Sequence, residues 1–227
     1  MIDKQMVSGH RERLRNRYLK SGINGLQDYE IIELLLTYTI LRKDCKSIAK
    51  QLLLKYKNIS NFFTLDKNEF ISNRDVSERT YVLFKLIGDI IEKELYNDIS
   101  IQKIKLSSNK KLIQYLKYNL GSKKIEIFKV LFLNTQNELI KDENLFYGTL
   151  DKSAVHPREL IKKVLENDAK SVILVHNHPS GALKPSESDI LITSKLKHLL
   201  EKLEIKLLDH IIVSPKGYFS FLEGGIL

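Results

Sequence analysis

The sequence contains a single cysteine, Cys45, among its 227 residues. One cysteine excludes an intramolecular disulfide and a zinc ribbon built from several cysteines. The longest nearly apolar run, Ile31 to Leu41, contains Glu33 and is too short to cross a bilayer. The N-terminal stretch through Arg17 lacks the apolar core of a signal peptide. We therefore expect a cytoplasmic protein that has no membrane partner.

The remaining composition is that of an ordinary globular protein. Hydrophobic residues make up 43% and charged residues 29%, a balance that excludes global disorder and collagen-like repeats. The length suits one large domain or two small ones. Four well-known motifs are missing, namely HExxH, GxSxG, a P-loop and GxGxxG. Any chemistry must therefore come from another arrangement of residues.

Positive charge predominates, with 37 lysines and arginines against 28 acids and a net charge of +9. No acid occurs between Ile99 and Ile125. This segment holds seven lysines: Lys103, Lys105, Lys110, Lys111, Lys117, Lys123 and Lys124. A second basic cluster consists of Arg11, Arg13, Arg15 and Arg17. Both clusters are candidates for contact with DNA phosphates. A solvated, lysine-rich surface is the alternative, because no base-reading motif accompanies the charge.

The first hundred residues have helical periodicity and no alternating strand pattern. Asp28 is a good N-cap for a helix from Tyr29 to about Leu41, and Asp44 caps the next one. Ser77 can cap a long helix through about Leu95. These patterns predict a small all-α N-terminal domain over residues 1–100.

Strands and helices alternate in the remainder of the chain, after a polar stretch, Asn97–Ser107, that we interpret as a linker. Strands are predicted at Ile125–Leu133, Glu138–Tyr147, Lys170–His176, Glu204–Val213 and Tyr218–Leu222. Helices are predicted at Asn109–Leu120, Pro157–Asn167 and Ser186–Leu203. The alternation predicts one α/β domain over residues 101–227, with a mixed sheet and flanking helices.

The most informative stretch joins the end of a predicted strand to the start of a helix. His176 and His178 lie two residues apart in the strand, so their side chains point the same way and can hold one metal ion. After a loop with two prolines and a glycine, Ser186 is a natural N-cap, and Asp189 in the first helical turn can face back towards the loop. Three such ligands leave a fourth position open, as in catalytic zinc sites. The alternative is a capping box of Ser186 and Asp189 that needs no metal.

The other histidines of this region have weaker cases. His198 lies in a lysine-rich helix, where we expect solvent exposure. His210 follows Asp209 in a predicted strand, which suggests a hydrogen-bonded core histidine. His156 precedes Pro157, and its spacing does not place it near the site.

The spacing of these residues resembles a known signature. His176-x-His178, seven residues, Ser186, two residues and Asp189 is similar to the JAMM signature of MPN-domain metallohydrolases. The fuller text HNHPSG…PSxxD resembles the RadC branch of bacterial proteins (UPF0758). The likeness runs from about Leu106 to Leu227 and includes further segments: Leu131–Gln136, Gly148–Asp151, His156–Glu159 and Leu208–Val213. It implies an MPN (JAB/JAMM)-like mixed sheet with flanking helices.

The resemblance also implies a zinc-dependent metallohydrolase, peptidase- or isopeptidase-like, that acts on a peptide or protein. His176, His178 and Asp189 would hold one Zn²⁺ per chain. The metal would lower the pKa of its bound water from about 15.7 towards about 7. Ser186 would stabilise the oxyanion of the tetrahedral intermediate or simply cap the helix, and both roles are compatible.

A glutamate upstream, at the beginning of the first strand, is the proton acceptor that the resemblance implies. Glu126 matches this position, and it would take the proton of the water and pass it to the leaving amine. An acid among strand apolars is costly without a partner, which suits a catalytic role. The alternative is a strand-edge carboxylate paired with Lys124 or Lys129. Glu138 and Glu143 are the rival candidates for the base.

The first part of the chain carries a weaker likeness. Residues 9–96 are similar to the helical N-terminal region of the same proteins, which usually ends in a helix-hairpin-helix-like element with a glycine-rich turn. Here Ser72–Ser77 stands in its place without a glycine, so we expect a degenerate element. A glycine-rich turn would offer backbone N–H groups to DNA. With the basic clusters and the association of this family with DNA repair, the alternative function is a DNA-associated accessory protein whose MPN domain is a scaffold.

Overall fold

A computed structural model describes residues 4–100, 110–148 and 156–227, with side chains from Gly9 onward. The chain forms two compact units, one ending at Ile90 and the other running from Ile91 to Leu227. The predicted linker is wrong in its first four residues, which belong to a helix that continues to Ser100. The rest of that linker, with Lys103 and Lys105, lies outside the described residues, as do the segment 149–151 and Asn109. The predicted domain boundary between residues 100 and 101 therefore stays a prediction.

The first unit is helical, and no strand occurs in its described part. Its helices are α1 (Lys4–Ser21), the 3-10 turn Ile23–Gly25, α2 (Asp28–Thr37), α3 (Cys45–Tyr56), α4 (Ile59–Phe62), α5 (Lys67–Ile71) and the first part of α6 (Glu78–Ser100). A core of aliphatic and aromatic side chains joins α2 to α6, including Ile32, Leu36, Leu52, Phe62, Phe70 and Phe84. The predicted all-α character is confirmed.

The capping predictions in this unit had different outcomes. Asp44 is the N-cap of α3, as predicted, and its side chain accepts from the amide of Lys46 at 3.0 Å. The N-cap of α2 is Gln27 rather than Asp28, because Gln27 and Glu30 form a capping box. The α2 helix also ends at Thr37, before the predicted end at about Leu41. The prediction missed this end because the apolar run contains no residue that signals the end of a helix.

The second unit is built around a five-stranded sheet. Its elements after α6 are α7 (Lys110–Leu120), β1 (Ile127–Leu133), β2 (Leu139–Tyr147), α8 (Pro157–Glu166), β3 (Ser171–Asn177), α9 (Glu187–Glu201), β4 (Lys206–Ser214) and β5 (Gly217–Ser220). The strand order is β2-β1-β3-β4-β5, and β3 and β4 are parallel while all other neighbours are antiparallel. The predicted mixed sheet with flanking helices is confirmed.

Helices cover both faces of this sheet. One face packs against α7, through side chains such as Leu116, Leu131 and Val175. The other packs against α8 and α9, through side chains such as Val130 and Leu196. Strands β1 and β3 are neighbours in the middle of the sheet and are buried along their whole length. Close packing around them makes this pair a rigid support for the residues at their ends. In the described parts of the chain, no helix is both long and apolar enough to cross a membrane.

Candidate metal centre

Three elements bring polar side chains to one edge of the sheet. His176 lies near the end of β3 and pairs with Phe128 of the antiparallel strand β1. Glu126 immediately precedes β1 and therefore lies at the same edge. His178 follows β3, and its amide donates to the Val213 carbonyl of β4 at 2.9 Å. This bond holds the turn after β3 against the sheet.

The helix α9 supplies the third predicted ligand. Ser186 is its N-cap, and the predicted capping box is confirmed, because Ser186 Oγ accepts from the Asp189 amide at 3.1 Å. The amide and hydroxyl of Ser186 both donate to Asp189 Oδ2 at 2.7 Å. The other carboxylate oxygen, Oδ1, lies 3.2 Å from His176 Nε2. The capping box and a metal site therefore do not exclude each other.

The predicted ligands and the predicted base form one cluster. Glu126, His176, His178 and Asp189 each offer one ligand atom, and these atoms lie within 4.8 Å of one another. The Nε2 atoms of the two histidines are 3.0 Å apart. His176 and Asp189 are buried, whereas Glu126 and His178 are half-buried, so the cluster opens to solvent on one side. The cluster could hold a metal ion, and the role of each residue stays a prediction.

The hydrogen bonds of His178 show that a cation suits this cluster. His178 Nδ1 lies 3.0 Å from the Ala182 carbonyl oxygen, which can only accept, so the neutral ring carries its proton on Nδ1. The Nε2 lone pair then faces His176 Nε2 and the Asp189 carboxylate. Lone pairs that converge in this way repel one another unless a proton or a metal ion lies between them. Imidazole nitrogens and a carboxylate oxygen are ligands that zinc prefers, so the residues fit a zinc ion.

The electrostatics of the cluster also favour positive charge. Burial alone would raise the pKa of Asp189, but hydrogen bonds with His176 and His178 outweigh it and hold this pKa well below its usual range. The bond to the Asp189 carboxylate raises the pKa of His178 above its ordinary value, against the effect of burial. A proton and a metal ion therefore compete for the same place, and metal affinity should fall as the pH is lowered.

Comparison with known proteins assigns the family. A family model described as a RadC-like JAB domain matches residues 106–226. The chain belongs to the RadC family. A UPF0758 protein of Fusobacterium nucleatum subsp. nucleatum is 43% identical over 225 residues, which cover 96% of this chain and 97% of the relative. A UPF0758 protein of Pseudoalteromonas translucida is 35% identical over 216 residues, 95% of this chain and 96% of the relative. The resemblance drawn from the sequence is confirmed.

One supporting residue of this RadC-family site was not predicted. Asn177, between the two histidines, is buried, and its Oδ1 accepts from the Ile127 amide at 2.8 Å. Its Nδ2 donates to the Ile125 carbonyl at 3.0 Å. These two bonds fix the backbone on both sides of Glu126. No local pattern could have indicated them, because the partners lie about fifty residues apart in the sequence.

The predicted core histidine of the RadC-family domain also supports the cluster. His210 is fully buried and contacts the rings of Phe128 and Phe221. It is hydrogen-bonded, as predicted, with Nε2 2.8 Å from His176 Nδ1 and Nδ1 2.6 Å from Thr193 Oγ1. Burial lowers the pKa of His210 well below its ordinary value. The sequence indicated the core position of His210 but not its contact with a predicted metal ligand.

The rival candidates for the base lie elsewhere. Glu138 flanks the turn at the other end of β1, where it accepts from Asn134 Nδ2 at 2.9 Å. Glu143 lies on β2, with one carboxylate oxygen 3.6 Å from Lys163 Nζ. Among the described residues, Glu126 is the only one of the three glutamates in the histidine cluster. The geometry therefore favours Glu126 over both rivals.

Two further histidines of the JAB domain lie outside the cluster. His198 is exposed on α9, as predicted. His156 is the exposed N-cap of α8, and its ring meets that of Phe146 edge-on at a centroid distance of 6.1 Å. Neither residue belongs to the metal-binding group.

The arginine cluster of the helical unit is partly engaged within the unit itself. The Arg11 guanidinium donates to the carbonyls of Leu41 and Lys43, and Arg17 pairs with Glu30. Arg13 and Arg15 are exposed.

DNA binding stays a prediction, and its salt dependence tests it. If the protein binds a fluorescent duplex electrostatically, log affinity should fall linearly with log salt, with a slope of about −0.9 per neutralised phosphate. The double variant Arg13→Ala/Arg15→Ala should reduce that slope by about 2 if both side chains contact phosphates. No binding at low salt would reject the prediction.

Proposed function

We propose that this RadC-family protein is a zinc-dependent hydrolase that cleaves amide or isopeptide bonds in peptides or proteins. The observation that carries the proposal is the convergence of two imidazole nitrogens and one carboxylate oxygen beside a second carboxylate, that of Glu126. Three ligands from the protein and one open position are typical of catalytic zinc sites, whereas structural sites are closed by four ligands. The half-exposed side of the cluster gives a substrate access to that position.

Each residue has a distinct task in this proposal. His176, His178 and Asp189 would hold the ion, which supplies a Lewis acid that lowers the pKa of a water molecule from about 15.7 to about 7. Glu126 accepts the proton of that water and later donates it to the leaving amine. Ser186 donates its hydroxyl proton to Asp189 Oδ2 in the resting cluster, and would turn it towards the oxyanion as negative charge develops there.

Zinc content and chelator-sensitive cleavage test the proposal. Protein purified without added metal should contain about one zinc per chain, since three protein ligands bind zinc at trace concentrations. A peptide library that includes isopeptide-linked members should be cleaved by this protein, and a chelator should stop the cleavage. Addition of zinc after chelator removal should restore it. A wild-type chain without stoichiometric metal would reject the proposal.

A further inference from the structure

A chain of buried hydrogen bonds connects the first ligand of the proposed zinc site to the helix that carries the third. His176 Nδ1 contacts His210 Nε2 at 2.8 Å, and His210 Nδ1 contacts Thr193 Oγ1 at 2.6 Å. The Thr193 hydroxyl in turn donates to the backbone carbonyl of Asp189, one turn earlier on α9. All four residues are buried, with no more than 3% of each exposed. Water therefore cannot substitute for a missing partner in this chain.

The direction of each hydrogen bond follows from the acceptor at the end of the series, the backbone carbonyl of Asp189. A carbonyl oxygen can only accept, so the single hydroxyl proton of Thr193 must lie towards Asp189. Thr193 Oγ1 is then an acceptor for His210, which places the proton of neutral His210 on Nδ1. The Nε2 of His210 is left with a lone pair, and it accepts from His176 Nδ1. The proton of neutral His176 therefore lies on Nδ1, and its Nε2 carries a lone pair that points into the cluster.

We propose that His210 and Thr193 are positioning residues that hold His176 in the one tautomer able to bind a metal through Nε2. The inference rests on the proposed zinc site, since the tautomer of His176 matters for function only if a metal ion binds its Nε2. The opposite tautomer would place a hydrogen between His176 and the ion. Histidine ligands usually donate their second N–H to a carboxylate, a carbonyl or water. Here a neutral imidazole takes that place, and a threonine fixes its orientation.

The contacts of the ring of His210 support this assignment. Both of its nitrogens are hydrogen-bonded, one to His176 and one to the Thr193 hydroxyl, while Phe221 stacks on its ring and Phe128 contacts it edge-to-face. The centroid of the stacked Phe221 ring lies 4.7 Å away, with the planes 20° apart. A ring held in this way cannot turn over and exchange its two nitrogens without disturbing the core. The ring protons of His176 and His210 therefore stay on the same nitrogen atoms throughout this series of hydrogen bonds.

The positions of the ring protons can be read without any metal. In ¹⁵N-labelled, zinc-free protein at mildly alkaline pH, where neutral histidines dominate, the ring nitrogen shifts report which nitrogen carries the proton. We expect Nδ1–H and a bare Nε2 for both His176 and His210. A proton on Nε2 of His176 in the wild-type protein would overturn the inference.

Two substitutions of Thr193 separate positioning from packing. Thr193→Val keeps the side-chain shape but removes the hydroxyl, so His176 should become a mixture of tautomers and zinc affinity should fall by about 10- to 100-fold. Thr193→Ser restores the hydroxyl and should bind zinc within about twofold of the wild type. Unchanged zinc affinity in Thr193→Val would contradict the inference, even if its melting temperature fell. A wild-type protein that binds no zinc would reject the proposed function, while the metal-free ring shifts would still decide the tautomer.

Discussion

Replacing His178 with alanine is expected to release zinc and to abolish hydrolysis. His178 is one of three predicted ligands, and its loss should cost more than the ~100-fold that removal of an outer hydrogen-bond partner costs. The fold should survive, because His178 lies half-buried in the turn after β3. For the wild type, zinc at 100 times its Kd would add about 2.7 kcal/mol, a rise in Tm of roughly 5–10 °C. His178→Ala should show no such rise at the same zinc concentration.

His198→Ala is the matched control for this experiment. His198 lies in the same domain but is exposed on α9, outside the cluster. We expect this variant to keep about one zinc per chain and the full thermal shift, because an exposed surface substitution rarely changes stability by more than about 0.5 kcal/mol. A His178→Ala protein that retained tightly bound zinc would show that the ion is held elsewhere. The proposed ligand set would then be wrong.

The sheet was the most predictable part of the fold. Its strands begin and end within about two residues of the predicted limits, because apolar runs such as Ile127–Leu133 stop at clear turn signals. The short helices α4 and α5 were not predicted, since four or five residues are too few to display a helical period. Their N-caps, Asn58 and Asp66, are the only local signals of their presence.

The cluster was predictable where its geometry is local, and otherwise only through the family resemblance. His176 lies near the end of β3 and His178 directly after it, and Asp189 belongs to a capping box, so spacing alone indicated these three residues. Glu126 lies just before a different strand, β1, about fifty residues earlier, and only the resemblance to JAMM proteins singled it out. The contacts of Asn177 and His210 depend on strand pairing across the sheet, which no sequence period encodes.

One predicted alternative concerned the partner of Glu126. Lys129 is one candidate for a strand-edge ion pair, but its ammonium is buried and contacts Asp142 on β2. The Tyr115 hydroxyl donates to the same carboxylate at 2.7 Å. This group lies on the α7 side of the sheet and supports the packing of that helix. The contact with Asp142 argues against Lys129 as the partner of Glu126, while the alternative of a pair with Lys124 stays open.

Replacing Glu126 with glutamine is expected to stop catalysis without releasing the metal. Glutamine has nearly the shape of glutamate but cannot accept a proton, so the activity that depends on proton transfer should fall by about 10²- to 10⁴-fold. Zinc content should stay near one per chain, because His176, His178 and Asp189 are unchanged. The measurement pairs zinc analysis with the rate of cleavage of a peptide selected from the library. Low activity with full zinc occupancy distinguishes this variant from His178→Ala, in which both are lost.

Glu138→Gln and Glu143→Gln are the matched controls, since both make the same chemical change outside the histidine cluster. Both side chains are half-buried and their contacts are partly open to solvent. We therefore expect activity within about twofold of the wild type and little change in stability. A large loss of activity in either control, with full activity in Glu126→Gln, would show that the general base is the glutamate replaced in that control and not Glu126. Loss of zinc from Glu126→Gln would instead make Glu126 a fourth ligand, because a neutral amide binds zinc less well than a carboxylate. The site would then be closed by four protein ligands, and the proposed hydrolase would lose its open position for a substrate.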